Sequence, residues 1–223
     1  MLIGTAFVPD GVELRLLQNE DDFAILLDRN ELMSTDIHAS EQALATMTCE
    51  RLQGHAAPQL LIGGYGMGFT LRAALAMLGA DAGVIVAEIV PEIIAWARGP
   101  MHALTAGCLD DPRVQLVMDD VVLLIDAARE AYDAILLDVD NGPEGLTREL
   151  NDRLYSNAGL QAAMRALKPG GVLAIWSAGP EPAFTQQLER AGFVVTEALV
   201  HAYGDGTGDR HMIWFAQKAM VEA

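Results

Sequence analysis

Short apolar runs alternate with helical patterns from Gln59 to the end of the chain. Five continuous runs predict strands: Leu60–Ile62, Val84–Ala87, Val114–Val117, Ala134–Leu137 and Val172–Trp176. Between them the predicted helices are Phe69–Leu78, one opened by Pro91, Leu154–Leu167 ended by Lys168–Gly171, and one opened by Pro182. Because strands that are apolar throughout must be covered on both faces, this alternation predicts a parallel sheet between two layers of helices.

The end of the chain departs from this alternation. Phe193–Leu199 and Met212–Ala216 are two further predicted strands, joined by the glycine-rich loop Gly204–Asp209. A strand, a loop and a strand in succession predict antiparallel pairing at one edge of the sheet. The expected fold class is therefore α/β, with a doubly wound, mostly parallel, seven-stranded, Rossmann-like sheet.

The N-terminal part has a different pattern. Glu13–Gln18 and Phe23–Asp28 flank a cluster of Asn, Asp and Glu residues, which predicts a β-hairpin. A helix is expected from Ser40 to about Gln53. We therefore divide the chain into an N-terminal hairpin and helix over residues 1–56 and an α/β domain over residues 57–223.

Composition narrows the classes of function. The chain has 223 residues, 52% of them hydrophobic, and 31 acidic against 14 basic residues give a net charge of −17. Such an apolar content excludes a disordered chain, and such an acidic surface does not suit the phosphate backbone of nucleic acids. An acidic protein attracts small cations such as amines, although the charge also serves solubility alone.

Three further features of the sequence concern cellular location, metal binding and contact with membranes. Cys49 and Cys108 lie far apart in the sequence and predict reduced thiols, as in a cytoplasmic protein. The five histidines are scattered, so we predict no metal site. No run approaches the ~18 apolar residues that cross a membrane, so no membrane partner is expected.

A glycine-rich turn is the clearest motif. Gly64, Gly66 and Gly68 lie between a predicted strand and a predicted helix. Glycine is favoured there because the chain turns sharply and its backbone must approach a ligand without a Cβ in between. The spacing is GxGxG, one residue short of the GxGxxG dinucleotide motif, so a dinucleotide oxidoreductase is disfavoured.

Acidic residues follow the next two strands. Glu88 ends the second strand, 20 residues after Gly68, where an acid that accepts ribose hydroxyls is expected. The alternative is a solvent-facing Glu. Asp119 and Asp120 follow the third strand, where an Asp can accept from an adenine amino group, and a helix N-cap before Val121 is the alternative.

Five segments together resemble a known family: LLIGGYGMGFTLRAAL, VAEIVPEIIAWAR, DDPRVQLVMDD, YDAILLDVDNGP and ALKPGGVLAIWS. They resemble the spermidine synthase-like (polyamine aminopropyltransferase) family within the class I S-adenosylmethionine-dependent methyltransferase fold, over roughly Gln59 to Lys218. The resemblance implies that residues 57–223 bind S-adenosylmethionine or its decarboxylated form. It implies five residues for nucleoside binding: Gly64, Gly66, Gly68, Glu88 and Asp119.

The reaction centre implied by the resemblance follows the fourth predicted strand. In that family a carboxylate at this place holds and deprotonates the attacking amine, and Asp138 matches it. An ammonium group cannot attack a carbon atom until it loses a proton, which a positioned carboxylate accepts. Asp140 and Asn141 are candidates for substrate binding, with a tight turn as the alternative. Tyr155 is a third candidate, with packing as the alternative.

Two departures from the family pattern keep several functions open. Met67 stands where the family usually carries an aspartate in the glycine turn, and Asn141 replaces its second acid after the fourth strand. We expect aminopropyl transfer to a small, cationic amine. The alternatives are a small-molecule methyltransferase, which Met67 favours, and a non-catalytic nucleoside-binding homologue. His38 and Glu41 form a pocket lid or a surface loop, and a homodimer remains open.

Overall fold

The N-terminal part is a four-stranded antiparallel sheet followed by a helix. The structure is a computed structural model that describes residues 1–139 and 153–220. The strands are β1 (Leu2–Phe7), β2 (Glu13–Asn19), β3 (Asp22–Leu27) and β4 (Asn30–Ser34), paired in that order, and the helix is α1 (Ala39–Arg51). The predicted hairpin is confirmed as β2 and β3, whose alternate side chains are buried. The sequence did not predict β1 and β4, which add one strand on each side.

A seven-stranded sheet forms the rest of the protein. Its strands are β5 (Gln59–Gly63), β6 (Gly83–Ala87), β7 (Val114–Val117), β8 (Tyr132–Leu137), β9 (Leu167–Ser177), β10 (Val194–His201) and β11 (Arg210–Gln217). They lie in the order β10-β11-β9-β8-β5-β6-β7. Strands β5 to β9 pair in parallel, and β11 pairs antiparallel with both β9 and β10. The predicted fold class is confirmed, including the antiparallel edge.

Helices cover both faces of this sheet. They are α2 (Phe69–Met77), α3 (Pro91–Arg98), the short α4 (His102–Thr105), α5 (Val121–Ala127), α6 (Asn157–Ala166) and α7 (Pro182–Arg190). In β5, Leu60 and Ile62 pack into one core cluster and Leu61 into another, and all three are at most 1% exposed. Neighbouring strand residues point to opposite faces, which explains the continuously apolar strands.

The prediction was wrong about where helix α6 ends and strand β9 begins. Residues 153–155 are helical, the expected helix is interrupted at Ser156, and α6 then covers Asn157–Ala166, where Ser156 caps it by accepting a hydrogen bond from the Gly159 N–H at 3.1 Å. Lys168–Gly171, expected as a break, belongs to β9. Gly170 and Gly171 exchange backbone hydrogen bonds with Lys218, so tertiary pairing keeps this segment extended.

The order of the strands determines where a ligand fits. Strand β5 lies between β6 and β8. The strand order therefore continues to β6 and β7 on one side of β5 and reverses to β8 and β9 on the other. In open α/β sheets, ligands bind at the carboxyl ends of the strands beside such a reversal. The N-terminal sheet and α1 share one core cluster with β5, for example through Leu14, Leu44 and Leu60. No helix among the described residues is both long and apolar enough to cross a membrane.

Candidate functional site

A cavity opens where the N-terminal sheet faces the carboxyl ends of strands β5, β6, β7 and β8. The N-terminal sheet contributes five apolar residues to its wall: Leu14, Ile25, Leu27, Leu32 and Met33. Six acidic residues also line it: Asp10, Glu41, Glu88, Asp119, Asp120 and Asp138. The described lining includes no Lys, Arg or His. The cavity therefore has a negative field that favours a cationic ligand.

The glycine turn forms the floor of this cavity. Gly64 has a φ of +83°, and a Cβ there would lie 2.3 Å from the Asp138 carbonyl oxygen. A Cβ on Gly66 would lie 2.6 Å from the Met33 side chain. Both positions line the cavity and leave no room for a side chain. Gly68 begins α2 beside the Tyr65 ring and is not among the lining residues.

Glu88 lies beside the glycine turn at the end of β6. Its carboxylate accepts hydrogen bonds from the backbone N–H groups of Tyr65 at 3.0 Å and Val90 at 2.8 Å. Burial raises the pKa of Glu88, and these backbone hydrogen bonds work in the opposite direction. The backbone groups of Gly66 and Ile89 also act on this carboxylate, so the main chain holds Glu88 in place at the cavity wall.

Asp119 and Asp120 were both candidates for two roles, a helix cap and a contact with the ligand. Asp120 caps α5, because its Oδ1 accepts from the Val122 N–H at 2.9 Å. The Asp119 Oδ1 accepts from the Asp120 N–H at 2.8 Å, and Asp119 lines the cavity. The cap therefore belongs to Asp120, and Asp119 remains the candidate for ligand contact.

Asp138 follows β8 and faces the same cavity. Its Oδ2 accepts a hydrogen bond from the Thr70 hydroxyl on α2 at 2.7 Å. Removal from water raises the pKa of Asp138 to about 6, and the Thr70 hydrogen bond acts against this rise. A carboxyl group with that pKa accepts a proton more readily than an ordinary aspartate does.

The structure describes one of the three candidates for substrate binding. Asp140 and Asn141 lie outside the described residues. Tyr155 is buried, and its ring packs edge-on against Phe184 with 5.7 Å between centroids. It is not among the described lining residues, so its contacts agree with the packing alternative.

Met67, which stands where the resemblance implies an acid, is also absent from the described lining. Its side chain is fully buried in the core that joins the N-terminal sheet to α2. Within residues 1–139 and 153–220, no three His, Cys, Asp or Glu side chains are grouped to hold a metal ion.

Glu41, which the sequence offered with His38 as a pocket lid or a surface loop, lines the cavity. It lies in the first turn of α1 and is 5% exposed, which excludes the surface loop. Burial first, and then the charge of Asp138, raises the pKa of Glu41 to about 7. The signal was in the sequence, because Glu41, Leu44, Ala45 and Thr48 follow helical spacing and form the buried face of α1.

Comparisons with known proteins agree on one family. Residues 45–188 match the spermine/spermidine synthase domain. The chain is 30% identical over 160 residues to a polyamine aminopropyltransferase of Mycobacterium tuberculosis (strain CDC 1551 / Oshkosh), which covers 67% of this chain and 30% of that protein. The chain therefore spans about a third of the length of this curated relative.

Solved structures of similar fold carry related names. The spermidine synthase from Thermotoga maritima aligns with a TM-score of 0.75 at 21% identity, covering 99% of this chain and 74% of that chain. A spermidine synthase in complex with the transition-state analogue AdoDATO aligns with a TM-score of 0.75 at 22% identity, covering 99% and 73%. At these identities the likeness concerns the fold.

Proposed function

The chain belongs to the spermine/spermidine synthase family, and from this premise we propose that it transfers an aminopropyl group from decarboxylated S-adenosylmethionine to a small amine. The observation that carries the proposal is that the glycine turn, Glu88 and Asp138 line one acidic cavity. Both small molecules are cations, which suits a cavity with six acidic lining residues.

The nucleoside end of the cosubstrate is assigned to the turn and the two strands beside it. Gly64 and Gly66 line the cavity and have no side chains, so a ligand meets the main chain directly at this turn. Glu88 is assigned to the ribose hydroxyls and Asp119 to an adenine amino group, because both carboxylates line the cavity at the carboxyl ends of the strands. These donor and acceptor types fit an adenosyl group, which supports the assignment. Gly68 acts indirectly, by starting α2.

Asp138 is assigned to the acceptor amine. The amine arrives as an ammonium ion and transfers one proton to the Asp138 carboxylate. Its lone pair then forms the new C–N bond to the aminopropyl carbon, while the C–S bond breaks and its electron pair returns to sulfur. The products are a secondary ammonium ion and neutral methylthioadenosine, and the proton on Asp138 leaves to solvent. Holding the two molecules in line supplies much of the remaining rate.

The test is product analysis by mass spectrometry. The protein is incubated with a panel of small amines and either decarboxylated S-adenosylmethionine or S-adenosylmethionine itself. We expect methylthioadenosine and an aminopropylated amine from the decarboxylated form alone. S-adenosylhomocysteine with a methylated amine would contradict the proposal and favour the methyltransferase alternative.

A variant separates catalysis from nucleoside binding. Asp138→Asn retains the size of the side chain but not its basicity, so we expect at least a hundredfold loss of product formation. Methylthioadenosine binding, measured by calorimetry, is expected to stay within a few fold of wild type. Unchanged turnover in this variant would contradict the role of Asp138.

A cytoplasmic location and a homodimer stay predictions.

A further inference from the structure

Glu41 and Asp138 reach the same cavity from two different elements. Glu41 stands at the start of α1 and Asp138 at the end of β8. Thr70 on α2 lies between them, because its hydroxyl is 2.7 Å from the Asp138 Oδ2 and 3.4 Å from the Glu41 carbonyl oxygen. Both side chains line the cavity next to the glycine turn, and the charge of Asp138 acts on the Glu41 carboxyl group.

No cation of the described protein compensates this pair. None of the ion pairs among residues 1–139 and 153–220 includes Glu41 or Asp138. Placing two carboxylates in a water-poor wall without a cation is costly. An arrangement of this kind is favourable once a ligand brings the missing positive charge.

Ser40 orients the Glu41 carboxylate and is itself in contact with His211. The Ser40 hydroxyl donates to the Glu41 Oε2 at 2.7 Å, and the His211 Nδ1 lies 2.8 Å from the Ser40 oxygen. Because Ser40 has a single proton and gives it to Glu41, His211 must donate through Nδ1. Ser40 is the one described side chain that donates to the Glu41 carboxylate, so part of its acceptor capacity remains for a ligand.

Trp176 gives an independent sign of a missing ligand on this wall. It lines the cavity, is 8% exposed and packs edge-on against His211 with 4.8 Å between ring centroids. Among the described residues, no acceptor lies within hydrogen-bonding distance of its buried indole N–H. Buried donors without a partner are rare in folded proteins, and each calls for an explanation such as an absent ligand.

We propose that Glu41 and Asp138 together form the binding site for the attacking amino group of the acceptor, in which one carboxylate holds the positive charge while the other takes the proton. The proposal rests on the transfer reaction proposed above and adds a second carboxylate to it. A single carboxylate cannot both stay charged to hold the amine and become protonated by it. With two, one carboxylate keeps its negative charge while the other accepts the proton from the nitrogen.

The chemistry of the remaining wall defines the class of acceptor. Leu14, Ile25 and Leu27 line the same cavity from the N-terminal sheet and are at most 5% exposed. They offer contact to hydrocarbon and no hydrogen bonds from their side chains. The acceptor is therefore a small primary amine whose carbon chain packs against this apolar sheet, with its amino group at the carboxylate pair.

The experiment measures amine binding directly, by calorimetry in the presence of methylthioadenosine. The probes are butylamine and butane-1,4-diamine, and the proteins are wild type, Glu41→Gln, Glu41→Asp and the control Glu50→Gln. Glu50 is exposed near the other end of α1. We expect Glu41→Gln to weaken amine binding at least tenfold, Glu41→Asp to recover part of it, and Glu50→Gln to match wild type. Methylthioadenosine binding should stay within twofold in all four proteins.

Steady-state kinetics then separate this proposal from the proposed reaction. We expect the KM for the amine to rise at least tenfold in Glu41→Gln, with a smaller change in kcat. If wild type shows no aminopropyl transfer but binds amines through Glu41, the reaction fails and the amine site stands. If wild type turns over and Glu41→Gln keeps the same amine KM, the amine site fails and the reaction stands.

Three outcomes of the binding experiment overturn the proposal outright. One is amine binding by Glu41→Gln within twofold of wild type. Another is the absence of amine binding by wild type. The third is loss of methylthioadenosine binding in both Glu41 variants, which would give Glu41 a structural role in place of a binding one.

Discussion

Replacing Glu41 by Gln should stabilise the free protein, although it removes a residue proposed for function. The glutamine amide has the size of the carboxyl group and its oxygen still accepts from Ser40. It carries no charge, so the desolvation of Glu41 and its repulsion by Asp138 both disappear. Burying an uncompensated charge for function is one recognised source of the trade-off between stability and activity.

The size of the effect follows from the pKa of Glu41, which rises from 4.5 to about 7 in the folded protein. A raised pKa means that the folded state is favoured at low pH, where the group is protonated, and loses stability as pH rises through 4.5 to 7. At ~1.4 kcal/mol per pKa unit, the loss is about 1 kcal/mol at pH 5 and about 3 kcal/mol at pH 8. Glu41→Gln should recover these amounts.

Neighbouring groups modify this pH dependence in a known direction. Asp138 also titrates, near pH 6, because burial raises its pKa and the Thr70 hydrogen bond acts against this rise. The His211 ring contacts Ser40, and burial lowers its pKa, which favours the neutral ring. The remaining ionisable groups that line the cavity are Asp10, Glu88, Asp119 and Asp120.

Urea unfolding at pH 5 and pH 8, followed by circular dichroism, measures the difference. For a chain of this size, about 3 kcal/mol corresponds to a rise of roughly 6–12 °C in Tm at pH 8. The control Glu50→Gln should change the free energy of unfolding by less than ~0.5 kcal/mol at either pH. The reasoning is refuted if Glu41→Gln is less stable than wild type at pH 8, or if its gain does not depend on pH.

Three further substitutions test the turn and two structural contacts. Gly64→Ala places a methyl group 2.3 Å from the Asp138 carbonyl oxygen at a φ of +83°, so calorimetry should find methylthioadenosine binding lost. Asp133→Asn removes the buried carboxylate that accepts from the Lys168 Nζ at 2.6 Å, which should cost about 2–3 kcal/mol in urea unfolding at pH 7. Arg113→Lys removes the guanidinium that donates to carbonyl oxygens at the end of α2, so hydrogen exchange there should be faster and stability lower by about 1 kcal/mol.

For each of the three substitutions, one result would contradict the prediction. Gly79→Ala is the matched control for the turn, because a Cβ there meets nothing within 4 Å, and equal binding losses at Gly64 and Gly79 would rule out the steric reason. The Asp133 pKa is lowered because Lys168, Gln59 and His55 together outweigh desolvation, so its contribution should vanish as pH falls below that pKa. A constant deficit would exclude the ion pair as the cause. Unchanged exchange in Arg113→Lys would show that α2 does not depend on this cap.

The sequence predicts those strands whose own residues form a recognisable pattern of hydrophobic positions. Leu60, Leu61 and Ile62 are buried on both faces of the sheet, and their continuous apolarity was enough to predict this. Strand β1 has a single buried residue, Ala6, and its place in the sheet comes from pairing with β2. Because that pairing partner supplies the stabilisation, no pattern within β1 itself predicts the strand. The division of the chain at residue 56 stays a prediction.

The candidate site shows the same contrast. The glycine turn and the acids that end β6 and β8 could be predicted, because backbone conformation and strand polarity place them by local rules. Glu41 could not be assigned, since a glutamate on a buried helix face acquires a role from what it faces. That neighbour, Asp138, lies on a distant part of the chain.

The sequence by itself determined the α/β alternation, the acidic character and the ligand-binding edge of the sheet, because these depend on periodicity and residue type. The tertiary structure alone decided that the N-terminal sheet closes the cavity with apolar side chains and that Glu41 meets Asp138 without a compensating cation among the described residues. The physical reason is that a carboxylate's pKa and partners depend on distance, burial and neighbouring charge. Only the folded chain establishes these three quantities.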